Sequence, residues 1–166
     1  MRARGMRVIS IIRIIAMVIA TSMVSGLALA GEGYGKQKVV YHINYDNPKT
    51  QAGAMRNVQN HINAVGAENL ELKVVVHGNG LALLLEPDSL EHLPKFKHAN
   101  ATEEMTAKID GLKEQGVSFA VCQNTINGRK VDVTNDLYNV EAEDIVPSGV
   151  AEVARLQAMG YAYIKP

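Results

Sequence analysis

The sequence predicts an α/β domain with a largely parallel sheet covered by helices on both faces. Two observations lead there. Short runs dense in β-branched residues alternate with longer stretches of helical apolar spacing. Three of those helical stretches end in a glycine (Gly66, Gly116 and Gly160), and each glycine leads into another apolar run. Repetition of strand, helix, glycine and strand is the pattern of a parallel sheet, and right-handed crossovers leave few ways to connect it. There is no internal repeat and no sign of a second domain.

Residues 1–30 stand apart from this pattern. Arg2, Arg4 and Arg7 give a basic start, and Ile9–Ala30 is almost wholly apolar or small, with Arg13 its one charge. Ala28-Leu29-Ala30 supplies the small-x-small ending that a signal peptidase recognises. A signal peptide over 1–30 implies export, which in a bacterium means the periplasm, with no membrane attachment after cleavage. The alternative is an uncleaved anchor, since the apolar stretch approaches bilayer-spanning length.

Cleavage would leave 136 of the 166 residues, enough for one domain with its own core. Four arginines would go with the peptide, leaving 13 basic against 17 acidic residues, a net charge of −4. A mildly acidic domain with no tryptophan and no Lys/Arg cluster argues against a nucleic-acid partner.

Residues 31–37 read as a flexible, glycine-rich leader, and 38–166 as the domain. Lys38–Ile43 is a first strand, followed by turn chemistry around Asn47-Pro48. Thr50–Val65 is an amphipathic helix with Ala52, Met55, Val58, Ile62 and Val65 at helical spacing. Leu70–His77 is the second strand. Gly78-Asn79-Gly80 breaks it, and the apolar Leu81–Leu85 forms one or two helical turns.

Pro87–Ala99 has no clean period and reads as a surface excursion. Asn100 or Thr102 can cap the next helix, which turns Met105, Ile109 and Leu112 inward. Val117–Cys122 is the third strand, and Asn124–Leu137 holds a short helix or turns. Asp144–Val146 is a short strand. Ser148 caps a last helix bearing Val150, Val153, Leu156 and Met159, and Tyr161–Ile164 closes the chain as a strand.

In an open parallel sheet, ligands and chemistry gather beyond the carboxyl ends of the strands. Those tips read His42-Ile43-Asn44, His77-Gly78-Asn79 and Cys122-Gln123-Asn124. Cys122 is the only cysteine, so it can form no internal disulfide. It serves as a buried small hydrophobe, an intermolecular link, or a reactive thiol.

Three readings of the rim stand side by side. Cys122 can be a nucleophile or sulfur carrier, its thiolate favoured by the N–H groups of a following helical turn. His42, His77 and Cys122 can be zinc or copper ligands, although none of the familiar short-spaced ligand pairs is present. Or the domain is a binding or assembly module in which Cys122 is inert and Leu81–Leu85 lines a pocket or a subunit contact.

Gly78-Asn79-Gly80 lacks the endings of a phosphate loop, and no Gly-x-Ser-x-Gly elbow exists. His61, His92 and His98 read as solvated, as do the carboxylates Asp132, Asp136, Glu141, Glu143 and Asp144.

Three separated segments then resemble a known family in the right order. They are V-V-V-H-G-N-G-L-A-L-L-L (Val74–Leu85), G-V-S-F-A-V-C-Q-N-T (Gly116–Thr125) and I-V-P-S-G-V-A-E-V-A-R-L-Q-A-M-G-Y-A-Y-I-K-P (Ile145–Pro166). Together they resemble the DsrE/DsrF-like proteins, in a branch usually described as uncharacterised or related to intracellular sulfur oxidation. The resemblance runs from about Lys38 to Pro166 and implies a DsrE/YchN-like α/β fold with a five-stranded, mainly parallel sheet. It further implies homo-oligomers, often trimers or hexamers.

In the sulfur-relay members a cysteine at the tip of a central strand carries sulfur as a persulfide. Cys122 matches that position, and His77 falls in the matching His-Gly segment. The expected site is therefore Cys122 as the catalytic thiol, with His77, His42, Asn124, Gly78 and Asn79 as binding neighbours and no metal or cofactor. Relay members work in the cytoplasm with dedicated partner subunits, so an exported carrier needs a periplasmic sulfur donor and acceptor. With no second cysteine to resolve a persulfide, turnover needs another protein or a small thiol.

Overall fold

The computed structural model describes residues 33–166. The signal peptide expected over 1–30 and the first two leader residues lie outside the described residues. In chain order the elements are β1 (Gln37–Ile43), α1 (Pro48–Val65), β2 (Leu70–Val76), α2 (Glu103–Glu114), β3 (Ser118–Cys122), α3 (Gln123–Arg129), α4 (Val133–Asp136), β4 (Ile145–Val146), α5 (Gly149–Ala158) and β5 (Ala162–Ile164). The strands form one five-stranded sheet in the order β4-β3-β2-β1-β5. Every pairing in it is parallel.

Local signals account for the boundaries. Asn47 is the N-cap of α1, its side-chain oxygen accepting the Thr50 N–H at 3.0 Å, and Pro48 occupies the first turn. The Asn-Pro pair therefore opens the helix instead of preceding it, because proline's missing N–H costs nothing there. Thr102 and Ser148 cap α2 and α5 in the same way. Gly66, Gly116 and Gly160 have φ of 86°, 89° and 88°, a left-handed conformation that ends each helix and redirects the chain.

Steps from β1 to β2 to β3 to β4 all move one way across the sheet, and right-handed crossovers put α1, α2 and α3 on a single face. There Met55, Val58 and Ile62 of α1, Ile109 and Leu112 of α2 and Ile126 of α3 bury Val39, Tyr41, Ile43, Val74, Val76, Phe119 and Val121. The last step, from β4 back past β1 to β5, reverses direction, so α5 must cross the opposite face. It does so with Val153 and Leu156 packed on Val40, Val75, Ala120 and Tyr161.

Several expectations change. Leu81–Leu85 is fully buried, and its 3₁₀ turns (Gly78–Leu83) roof one end of the main core. These residues line neither an open pocket nor a surface. The 87–99 excursion sends Leu93 and Phe96 into that core. On α5, Val150 and Met159 point outward, 64 % and 51 % exposed, because a helix crossing a sheet buries only the face carrying Val153 and Leu156.

Asp136 is buried, accepting hydrogen bonds from the Asp132 N–H and from His92, both at 2.8 Å. His61 is half-buried between Tyr41 and Gln37. Neither belongs to a solvated edge.

A buried amide network fixes the carboxyl end of β1. Gln51 Nε2 donates to the carbonyls of Tyr45 (2.6 Å) and Gly80 (3.2 Å), and its Oε1 accepts from Asn100 Nδ2 at 2.6 Å. This draws Gly80 so close that a β-carbon there would lie 2.0 Å from the Ile43 carbonyl oxygen. We expect Gly80→Ala to cost about 3 kcal/mol or more, since backbone cannot yield as a side chain can. Gly111→Ala on α2, where nothing lies within 4 Å of the added carbon, should instead stabilise by about 0.5–1 kcal/mol. Urea unfolding midpoints of the two variants measure both effects.

Candidate functional site

Alternation along the strands decides which side chains share a face. His42 pairs with Val75, Val75 with Ala120, and Val40 with Tyr163. Residues two positions further along β2 and β3 are His77 and Cys122, so both project on the α5 face, side by side. His42 and Tyr163 project on that face too. Four chemistry-bearing side chains thus come from four strands to one corner of the sheet.

Cys122 closes β3 and is at once the N-cap of α3. It is 5 % exposed. Burial pushes its thiol up. The Thr125 hydroxyl and the N–H groups of Gly149, Thr125 and Asn124 outweigh that and leave the thiol below its ordinary range. By geometry the cysteine side chain makes no capping hydrogen bond. The amides therefore act as dipoles aimed at where a thiolate's charge would lie.

Thr125 links two tips, because its Oγ1 accepts the Gly78 N–H at 2.8 Å. Its own hydrogen remains for the sulfur.

Gly149, the first residue of α5, packs against His77 and Cys122. A β-carbon there would lie 2.8 Å from His77 Cβ and 3.2 Å from Cys122 Cβ. Only a residue without a side chain lets the amino end of α5 sit directly on this pair, bringing its N–H to the sulfur.

Nε2 of His42 and Nε2 of His77 are 2.6 Å apart, with the rings stacked at 4.8 Å and 22°. His42 Nδ1 meets the Tyr163 hydroxyl at 2.8 Å. Burial, then the neighbouring His77 and Lys165, lower His42 to about 4. Burial, then Lys165, lower His77 as well. Both imidazoles are neutral near pH 7, and one hydrogen bond between two neutral rings requires opposite protonation at the facing nitrogens.

Of the residues expected at this site, His42, His77 and Cys122 come together, and Asn124 takes part through its backbone N–H while its side chain faces solvent. Gly78 takes part through its N–H to Thr125. Asn79 points elsewhere, its Oδ1 accepting from Arg129 Nη2 at 2.6 Å.

Thr125, Gly149, Tyr163 and Lys165 were not singled out by the sequence. Period-two alternation in the last strand could have found Tyr163, and the Ser148 cap could have pointed to Gly149. Nothing in the sequence marks Thr125 or Lys165.

The cluster lies at a topological switch. The chain leaves β3 toward the α1 face and leaves β4 toward the α5 face, and the crevice beyond two such strands is where open α/β sheets bind ligands. Among the described residues no group of three or more His, Cys, Asp or Glu is arranged to hold a metal ion. The two facing imidazole nitrogens bind each other. A cleft of about 380 Å³, between Lys36–Lys38 and Glu68–Glu71, opens at the amino ends of the strands, far from this chemistry.

The sequence profile of the DsrE/DsrF-like family matches residues 37–166. The chain belongs to that family. Among solved structures, this DsrE/DsrF-like chain is similar to the protein of unknown function MTH1491 from Methanobacterium thermoautotrophicum. That match has 27 % identity and a TM-score of 0.62, and covers 79 % of this chain and all of the other. The ychN protein of E. coli shares the fold at 14 % identity and a TM-score of 0.55, covering 78 % of this chain and 97 % of its own. Comparison with curated proteins found no match.

The histidine pair makes stability depend on pH in a defined direction. An unfolded imidazole titrates near 6.5, but native His42 resists protonation until about 4. As pH falls through that window the unfolded chain takes up a proton that the native one refuses, so stability falls; above about 6.5 the effect vanishes. Thermal unfolding should show His42→Gln losing less stability than wild type between about pH 6.5 and about pH 4. Equal losses in the two proteins would contradict this assignment.

Proposed function

We propose that this DsrE/DsrF-like protein is an exported sulfur carrier or sulfurtransferase that holds one sulfane sulfur as a persulfide on Cys122. The observation that supports it most is the surround of the sulfur. Three N–H groups and a hydroxyl converge on a thiol at the switch point of the sheet, beside an imidazole pair, and lower its pKa.

A thiolate there attacks the outer sulfur of a sulfane donor. The donor's S–S bond breaks, the leaving group departs with the electron pair, and a cysteine persulfide forms. An acceptor thiolate then takes the terminal sulfur. The same N–H groups face the negative charge in both states.

The basic start and apolar run of residues 1–30 support export, and hence a periplasmic donor and acceptor. Exposed Val150 and Met159 on α5 support a homo-oligomer, a trimer or hexamer, assembled through this helix. The low exposure of Cys122 favours a second reading, a small-ligand-binding or interaction module in which the thiol is inert.

Mass spectrometry after incubation with thiosulfate separates the two. The carrier gains the mass of one sulfur, dithiothreitol removes it, and Cys122→Ser abolishes it. An unmodified protein whose folded-state thiol also resists alkylation would establish the inert module instead.

A further inference from the structure

Building on the carrier reading, we propose that His77, His42 and Tyr163 form a proton relay serving Cys122. His77 accepts the thiol proton, while His42 and Tyr163 are positioning residues that set its tautomer and conduct the proton to solvent.

Two contacts of hydrogen-bond length join the two rings and the phenol. His77 Nε2 meets His42 Nε2 at 2.6 Å, and His42 Nδ1 meets the Tyr163 hydroxyl at 2.8 Å. Tyr163 is 41 % exposed and forms the solvent end. His77, next to Cys122 across the strand pair and packed with it against Gly149, forms the sulfur end. Nε2 of His77 is already engaged, so Nδ1 is the nitrogen left for the thiol proton.

That requirement sets the polarity of the chain. A neutral His77 able to accept at Nδ1 carries its hydrogen on Nε2 and donates it to His42 Nε2. His42 then carries its hydrogen on Nδ1 and donates to the Tyr163 oxygen, whose own hydrogen goes to water. Loading with thiosulfate follows. The Cys122 sulfur bonds to the sulfane sulfur, the thiosulfate S–S bond breaks, and sulfite leaves with its electron pair.

The thiol proton moves to His77 Nδ1, the Nε2 proton to His42, the Nδ1 proton to Tyr163, and the phenol proton to water. Every ring is left neutral with its tautomer reversed. Delivery of the sulfur to an acceptor thiolate expels the Cys122 thiolate, which takes the proton back from His77, and water refills the chain through Tyr163. One sulfur in and out returns every proton to its starting atom.

The surroundings suit this role. Burial and Lys165 keep both rings uncharged near pH 7, so His77 stays available as an acceptor and the proton does not rest on the pair. Among the described residues, Lys165 is the charged side chain acting on them.

The test follows Cys122 in wild type, His77→Gln, His42→Gln and Tyr163→Phe across pH with two reagents, thiosulfate and iodoacetamide. Near neutral pH, His77→Gln should load sulfur about 100-fold more slowly than wild type and the other two variants about 10-fold more slowly, in the range of general acid–base effects. The ratios should shrink toward one above about pH 9, where an ordinary thiol is already ionised. Iodoacetamide reacts with the thiolate, so its wild-type rate near neutral pH should exceed that of an ordinary thiol, and His77→Gln should lose the part of that excess which the amides and Thr125 do not sustain.

Rates unchanged by His77→Gln, or lowered by one factor at every pH as structural damage would do, overturn the relay and leave the carrier intact. An alkylation excess that depends on His77, without any persulfide, overturns the carrier and leaves the relay as a property of the thiol. A folded-state thiol that neither reagent reaches overturns both.

Discussion

Seven consecutive pairs align β1 with β2 and four align β2 with β3, all in parallel. Because side chains alternate between faces, a slip of one residue in either alignment would turn every core residue outward and send His77 or Cys122 to the wrong side. Burial on both faces makes such a slip prohibitive. The same apolar packing that stabilises the sheet therefore aims the two imidazoles, the thiol and the phenol. Their convergence is inherited from the core, and long-range polar contacts such as Thr125 to Gly78 and His42 to Tyr163 then fix it.

The thiol sits in a setting that burial alone would make hostile to charge. Desolvation favours S–H, and an aliphatic wall would leave the group inert. Here the wall is made of backbone: the first turn of α3, the opening residue of α5, and a threonine bound to the loop after β2. Fixed N–H dipoles cost little reorganisation when the sulfur ionises. Gly149 is the element that makes this geometry reachable, since any side chain there would hold the α5 terminus away from the pair.

How far these features can be seen in the bare chain depends on their range. Strand and helix identities, the caps at Thr102 and Ser148, and the glycine stops are local, and the sequence carries them openly. His42, His77 and Cys122 could be nominated because each ends an apolar run. Thr125 could not, since its importance arises from its bond to Gly78, 47 residues away in the chain. Leu93 and Phe96 hid in a stretch with irregular period because irregular backbone can bury side chains without repeating them. Val150 and Met159 misled for the opposite reason: helical spacing around α5 offers two apolar faces, and only the sheet decides which is covered.

The twenty residues from Ile145 to Ile164 have a reach out of proportion to their number. β4 and β5 lie at opposite edges of the sheet, so α5 must bridge four strand spacings, a span of ~19 Å. Its 10 residues give a rod of ~15 Å, just long enough with its loops. Gly149 and Tyr163 are delivered by this strap, which follows β1, β2 and β3 in the chain. Those three strands alone would carry the sulfur unroofed and the imidazoles uncoupled from the phenol. Docking of the strap, not pairing of the earlier strands, converts an ordinary cysteine into a guarded one.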